Sequence, residues 1–355
     1  MPLVTMNELL LPARKGRYAV GAFTIWNTDF IRAVLDAAEE LKSPVIVMFG
    51  MVEAIHNDPH GLANLAATCR EMLGRSPVPV ALHLDHAMTI DPVKEALANG
   101  FTSVMYDGSA ETFDKNIENT KKIVECAHAH KPFVTVEAEL GKLGGIEEDV
   151  VGVGHDDVEK FLTDPKQVEE FVKRSGCDSL AVAIGTSHGA YKFKHAPKLA
   201  FDRIEEIGRR LPGFPLVMHG SSAVPKEFID FINSYAVLQS KNKKMLEVAL
   251  KDGWEQMPGS MGVPDEAISR ASKMAVCKVN IDTDLRLGMT ASILKVWGDC
   301  NAALLKWIEG GKQGSRPKFN FDPREYLGPA REAIRDVVAG KLDVLGVSGK
   351  AGLFK

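Results

Sequence analysis

Apolar and polar positions along this chain follow a slow rhythm, in which short, nearly continuous apolar runs are separated by longer amphipathic stretches. Eight runs read as strands: Ala19–Trp26, Pro44–Gly50, Val78–Asp85, Thr102–Asp107, Phe133–Glu139, Ser179–Gly185, Pro215–His219 and Ala275–Asp282. Their lack of in-out alternation is what strands covered on both faces require. Between them the period changes to that of a helix. Over Phe30–Leu41, Ile31, Val34, Leu35, Ala38 and Leu41 fall on one face. Asp91 before Pro92 reads as an N-cap with proline at the first helical position, opening a helix that runs to Asn99 and stops at Gly100. Phe113–His128 and Pro165–Arg174 carry the same helical signal.

Eight strands alternating with helices predict an α/β chain folded as one closed parallel (β/α)8 barrel, the TIM barrel, over residues 1–355. An open doubly wound sheet is the alternative. Two segments break the rhythm. Residues 235–264, which include the charged Lys241-Asn242-Lys243-Lys244 run, read as an inserted helical hairpin before the eighth strand. Residues 304–355 read as a C-terminal helical extension, with an exposed loop at 310–325 and a helix over Tyr326–Gly340.

Barrels of this type collect function at the C-terminal ends of their strands. Here those ends are polar: His83-Leu84-Asp85-His86, Asp107-Gly108-Ser109, Glu137 and Glu139, Gly185-Thr186-Ser187-His188-Gly189, His219-Gly220-Ser221-Ser222, and Asn280-Ile281-Asp282-Thr283-Asp284. His86, His188 and His219 lie at three different strand ends, and three imidazoles around one mouth suit a catalytic zinc ion with an open fourth position. His83 has the opposite parity to His86 and reads as structural. Asp85 reads either as a proton carrier for a substrate hydroxyl or as a partner that orients a histidine. The loops after strands seven and eight, Gly220-Ser221-Ser222 and Asn280 to Thr283, occupy the frequent phosphate position of the fold, and Lys192 could add a cation.

Bulk composition narrows the classes. A net charge of −4 argues against nucleic-acid or anionic-membrane partners. The five cysteines form no CxxC pair, which points away from a disulfide framework and toward a reducing cytoplasm. The N-terminus has no signal-peptide pattern and no apolar run is long enough to span a bilayer.

The segments HLDHA (83–87), MYDGS (105–109), VEAELGKLGG (136–145), GTSHGAYKF (185–193), LVMHGSS (216–222) and KVNIDTDLRLG (278–288) together resemble the motifs of class II, metal-dependent fructose-bisphosphate aldolases, in their long Calvin-cycle-like branch. The resemblance implies a reversible lyase of glycolysis, gluconeogenesis or the Calvin cycle. It would cleave fructose 1,6-bisphosphate to dihydroxyacetone phosphate and glyceraldehyde 3-phosphate. It implies His86, His188 and His219 as zinc ligands with Glu139 beside the metal, and Asp85 as the catalytic acid and base. Asn27, Gly189, Lys192, Gly220, Ser222, Asn280, Asp282, Thr283 and Arg286 become substrate contacts. Within that set Asp282 favours fructose stereochemistry and Arg286 meets the distal phosphate. Glu147 and Glu148 resemble a mobile acidic loop. A sodium or potassium ion near the phosphate and a homodimer or homotetramer are further family traits.

Sister aldolases acting on tagatose bisphosphate or a ketose 1-phosphate share most of these motifs, and a metal-dependent hydrolase on the same fold is a more distant alternative. The chain departs from the family pattern at the ends of strands one and two. There Trp26 replaces an asparagine, and Phe49 and Gly50 stand where a serine-bearing pattern is usual. All three changes are expected to alter the subsite for the aldehyde half.

Overall fold

The computed structural model describes residues 3–141, 162–186, 199–239, 262–310, 312–313, 315, 317 and 322–354. Eight parallel strands close in sequence order, β1 pairing with both β2 and β8. They are β1 Val20–Thr24, β2 Val45–Phe49, β3 Val80–Ala87, β4 Ser103–Tyr106, β5 Thr135–Leu140, β6 Ser179–Val182, β7 Leu216–Met218 and β8 Val276–Ile281. Each lies inside or within two residues of one of the apolar runs, and nearly every residue in them is buried. The open doubly wound sheet is thereby excluded.

The helices are α1 Met6–Gly16, α2 Thr28–Glu40, α3 Met51–Asn57, α4 Ala63–Leu73, α5 Ile90–Ala98, α6 Phe113–Ala129, α7 Val168–Ser175, α8 Phe201–Arg210, α9 Lys226–Gln239, α10 Asp265–Ser272, α11 Thr283–Glu309 and α12 Pro323–Leu345. Helix α1 plugs the N-terminal end of the barrel. A capping box between Thr5 and Glu8 starts it, and Met6, Leu9, Leu10 and Ala13 form its buried stripe. Arg14 then fastens it by donating to the carbonyls of Phe214 and Met274 at the feet of β7 and β8.

Two helix starts differ from the sequence expectation. Helix α5 begins at Ile90 with Thr89 in the cap position, so Asp91 sits in the first turn instead of capping it. Pro92 still costs no hydrogen bond, because the first four N–H groups of a helix have no partner within it. Helix α12 begins at Pro323, not Tyr326. Asp322 caps it by accepting from the Arg324 N–H, with proline at the first helical position, so residues 322–325 belong to the helix start and not to the loop. It continues to Leu345, past the expected stop at Gly340, and ends at Gly346 with φ 70°. Its buried positions Ala330, Ile334, Val338, Leu342 and Leu345 pack it against α2 and α11. Of the expected hairpin at 235–264, residues 240–261 lie outside the described residues. Helix α11 runs unbroken through residue 304.

Candidate active site

Strand β3 does the most to build the mouth of the barrel. His83 and Asp85 share parity and point inward, so regular pleating would send His86 out toward the helices. It does not go there. The β3–β4 register slips between Leu84 and Ala87, and His86 adopts φ 44°. A bulge of this kind re-aims a side chain, and a non-glycine residue in the left-handed region is a strain that clusters at functional positions. The result puts the His86 ring 4.8 Å from the His219 ring, centroid to centroid. One ligand atom each from Asp85, His86 and His219 falls within 4.8 Å of the others, and the same holds for His86, Asp107 and Glu139.

The two imidazoles are held by carboxylates. His86 Nδ1 is 2.9 Å from Asp107 Oδ2. His219, which directly follows β7, donates from Nε2 to Glu137 Oε1 at 2.9 Å, and its Nδ1 lies 3.3 Å from Glu139 Oε2. Asp85 accepts from Asn280 Nδ2 at 3.2 Å. Burial opposes the charged form of His219, but its bonds to Glu137 and Glu139 outweigh that and raise its pKa to about 9. Burial likewise opposes the Asp85 carboxylate, yet the nearby His86, Lys278, His219 and His83 pull its pKa below the ordinary value. Glu139 is pushed upward by burial and by Asp107.

Beneath these groups lies a polar layer inside the barrel. Lys278 of β8 is fully buried, with Nζ 2.8 Å from Glu137 Oε2 and 3.3 Å from His83 Nε2. His83 completes the layer through Ser103 Oγ, 2.8 Å from its Nδ1. Desolvation first, and then the Lys278 charge, lower the His83 pKa to about 3, so this ring is neutral. The sequence alone assigns no role to Glu137, Lys278 or Asp107. The signal was a lysine and a glutamate inside otherwise apolar strands, where charged residues are rarely buried unless paired.

The donor set fits a cation. Four carboxylates, Asp85, Asp107, Glu137 and Glu139, surround two imidazoles, and Lys278 is the one lysine or arginine among these contacts. Such an excess of negative charge in a site mostly shielded from water is stabilised by a positive ion.

The remaining predicted positions separate into three groups. Ser222, Asn280, Asp282 and Thr283 sit together where β8 passes into α11, and Ser222 Oγ accepts from the Asp282 N–H at 3.4 Å. Gly220, between His219 and Ser221, takes φ 60°, a turn that glycine makes without steric cost. Arg286 donates to Asp282 Oδ2 at 3.2 Å. Asn27 is committed as the cap of α2, accepting from the N–H groups of Asp29 and Phe30. His188, Gly189, Lys192, Glu147 and Glu148 lie outside the described residues.

Of the three departures at strand ends, one expectation is corrected. Phe49 does not reach the mouth. It follows inward-facing Met48, which pairs with His83, so it turns outward and packs in the core against Phe101, the ring centroids 5.1 Å apart and the planes tilted by 60°. At Gly50 the backbone N–H donates to Glu53 Oε2 at 2.8 Å, placing a carboxylate beside the position that lacks a hydroxyl. Trp26 alone extends to the strand-eight side.

The chain is a closed parallel (β/α)8 barrel with imidazoles and carboxylates at its C-terminal mouth placed so that they could hold a metal ion. Residues 4–350 match the family model of class-II fructose-bisphosphate aldolase, and the chain belongs to that family. It is therefore an aldolase, a carbon–carbon lyase of a metal-dependent class. A fructose-bisphosphate aldolase of Giardia intestinalis is 42% identical over 358 residues, covering 100% of this chain and 96% of its own. One from Thermus caldophilus is 40% identical, covering 98% of this chain and 100% of its own. Among solved structures, the YdjI aldolase from Escherichia coli K12 is 28% identical with a TM-score of 0.65, covering 98% of this chain and 99% of that one. Among the described residues, no helix is long and apolar enough to cross a membrane.

Proposed function

We propose that this aldolase reversibly cleaves fructose 1,6-bisphosphate to dihydroxyacetone phosphate and glyceraldehyde 3-phosphate. The observation that carries the proposal is the convergence of Asp85, His86 and His219 on one point, in a chain of this family. His86 and His219, with His188 added from the sequence, would hold a zinc ion, with Glu139 beside it. When bound, the ion supplies a Lewis acid for the substrate carbonyl.

The chain's own groups supply the rest. Asp85 is ionised and held by Asn280, so it can accept the proton of the hydroxyl on carbon 4. As that O–H bond breaks, a carbonyl forms at carbon 4 and the carbon 3–carbon 4 bond breaks. The electron pair stays with the three-carbon fragment, which then takes up a proton. Ser222, Asn280 and Thr283 would bind the phosphate beside the N-terminus of α11, where backbone N–H groups and the helix dipole favour an anion, and Gly220 would join them from the turn after β7. Gly189 and Lys192 would join them, and Asp282 and Arg286 would meet the aldehyde half. Glu147 and Glu148 would form the mobile acidic loop, a sodium or potassium ion would sit near the phosphate, and the chain would work in the cytoplasm as a dimer or tetramer.

A coupled assay for dihydroxyacetone phosphate, run on fructose 1,6-bisphosphate, tagatose 1,6-bisphosphate and fructose 1-phosphate with and without a chelator, tests this. Chelator-sensitive cleavage that favours fructose 1,6-bisphosphate is expected. Preference for another ketose overturns the substrate, and full activity in chelator overturns the metal.

A further inference from the structure

Trp26 sits between the ends of β1 and β8, half-buried against the core. Its indole Nε1 donates to Asp282 Oδ1 at 3.2 Å. The other carboxylate oxygen of Asp282 accepts from Arg286 Nη1, also at 3.2 Å. The Arg286 guanidinium lies 5.2 Å from the centroid of the same indole ring. The His56 ring meets the indole edge-on at 5.9 Å, and Asn57 Nδ2 holds the backbone there by donating to the Trp26 carbonyl at 2.7 Å. One side chain thus fixes the orientation of a carboxylate and the lie of a guanidinium at once. An ionised carboxylate accepts at about four lone-pair positions, so two donors leave acceptor capacity for a ligand hydroxyl. Asp282 is near enough to Asp85 for their charges to interact.

We propose that Trp26 is a positioning residue that sets specificity for the aldehyde half of the substrate by holding Asp282 and Arg286 in place. The inference rests on the aldolase reading above. Fructose and tagatose differ in configuration at carbon 4, the carbon whose hydroxyl Asp85 deprotonates. A carboxylate locked beside Asp85 offers its free lone pairs in one direction, so it bonds a distal hydroxyl in one configuration of the chain and not in the other. Released from Trp26, the same carboxylate can turn to meet either. The side-chain bonds of this arrangement run among Trp26, Asp282 and Arg286, whereas Ser222, on the phosphate side, is met by the Asp282 backbone N–H and not by its carboxylate.

Two variants separate the parts of this device. Trp26→Phe keeps a ring under Arg286 and loses the N–H donor, whereas Trp26→Leu loses both. Each is assayed for kcat/KM on fructose 1,6-bisphosphate and tagatose 1,6-bisphosphate. Each is also assayed for deuterium exchange from solvent into dihydroxyacetone phosphate alone, a partial reaction with no aldehyde. Loss of a hydrogen bond to a charged group should narrow the ratio between the two bisphosphates about tenfold in Trp26→Phe, and at least as far in Trp26→Leu. The exchange should change less than about twofold, on the scale of ordinary surface substitutions.

An unchanged ratio in both variants overturns the proposal. So does an exchange rate that falls in step with cleavage, since that would mark a general structural role. If the unmodified chain cleaves neither bisphosphate, the proposed substrate fails separately. Preference is then read from condensation of dihydroxyacetone phosphate with glyceraldehyde 3-phosphate and with glyceraldehyde. A shifted preference in the variants supports the role of Trp26, and an unshifted one overturns it.

Discussion

His83 is neutral in the folded chain because burial and the Lys278 ammonium both oppose a second proton on its ring. Its folded pKa of about 3 lies below the ordinary 6.5 of the unfolded chain. The unfolded chain therefore binds more protons between these values, and folding stability falls as the pH drops from 6.5 toward 3. At pH 5 the loss from this one group is about 2 kcal/mol. The variant His83→Gln should flatten that acid limb in urea melts between pH 7 and pH 5. An acid limb as steep as the original would show that His83 does not carry the effect. Asp85 makes a different kind of prediction. The variant Asp85→Ala should lower kcat about 10²–10⁴-fold, the range for a lost general base, while bound metal stays stoichiometric by elemental analysis. Near-normal turnover would remove Asp85 from proton transfer.

Among the elements, the apolar runs marked all eight strands because each is covered on both faces, and burial writes itself into residue type. What they could not mark was the slip in β3. His86 reaches the metal cluster only through a register shift and a positive φ, and neither has a composition signature in HLDHA. The polar layer under the site was equally hidden, because pairing Glu137 with Lys278 requires the barrel to close across 141 positions of sequence. The α12 helix was legible as a helix, but its link to the site was not. Lys341 on α12 lies 3.2 Å from Asp284, and both oxygens of Asp284 accept backbone N–H groups, from Ala223 and Val224, in the loop after β7. Val224 has φ 52°, a strained conformation for a β-branched residue. The variant Asp284→Ala leaves Lys341 with its exposed partner Asp265 alone and strands the N–H groups of Ala223 and Val224, the second of them buried. It should cost about 3–5 kcal/mol in denaturant melts, as broken buried ion pairs do. It should also raise KM, because the released loop carries Gly220 and Ser222. By contrast Lys226→Ala, which removes an exposed pair with Asp230, should leave both measurements unchanged. Equal effects from the two variants would deny Asp284 its role in holding the loop.

For the molecule as a whole, the barrel mouth is both the seat of chemistry and a source of instability. Closing eight strands in sequence brings Asp85, Asp107, Glu137 and Glu139 from three strand ends into one enclosure, with the single ammonium of Lys278 against them. Like charges that are far apart in the unfolded chain are pressed together in the folded one, so the fold itself creates the demand for a cation. Any ion that binds only the folded chain stabilises it by mass action, about 2.7 kcal/mol at a free concentration 100 times its Kd. Unfolding entropy scales with length, so for a chain of 355 residues this should appear as a rise in Tm of about 4 °C over the chelator-treated protein. The rise should grow with the logarithm of free zinc once one equivalent per chain is bound, and vanish in His219→Ala, which removes a ligand from the enclosure. Calorimetry with and without the ion reads both effects. If the two melting curves coincide at saturating zinc, the carboxylates are balanced in some other way, and the mouth of the barrel is not a metal centre.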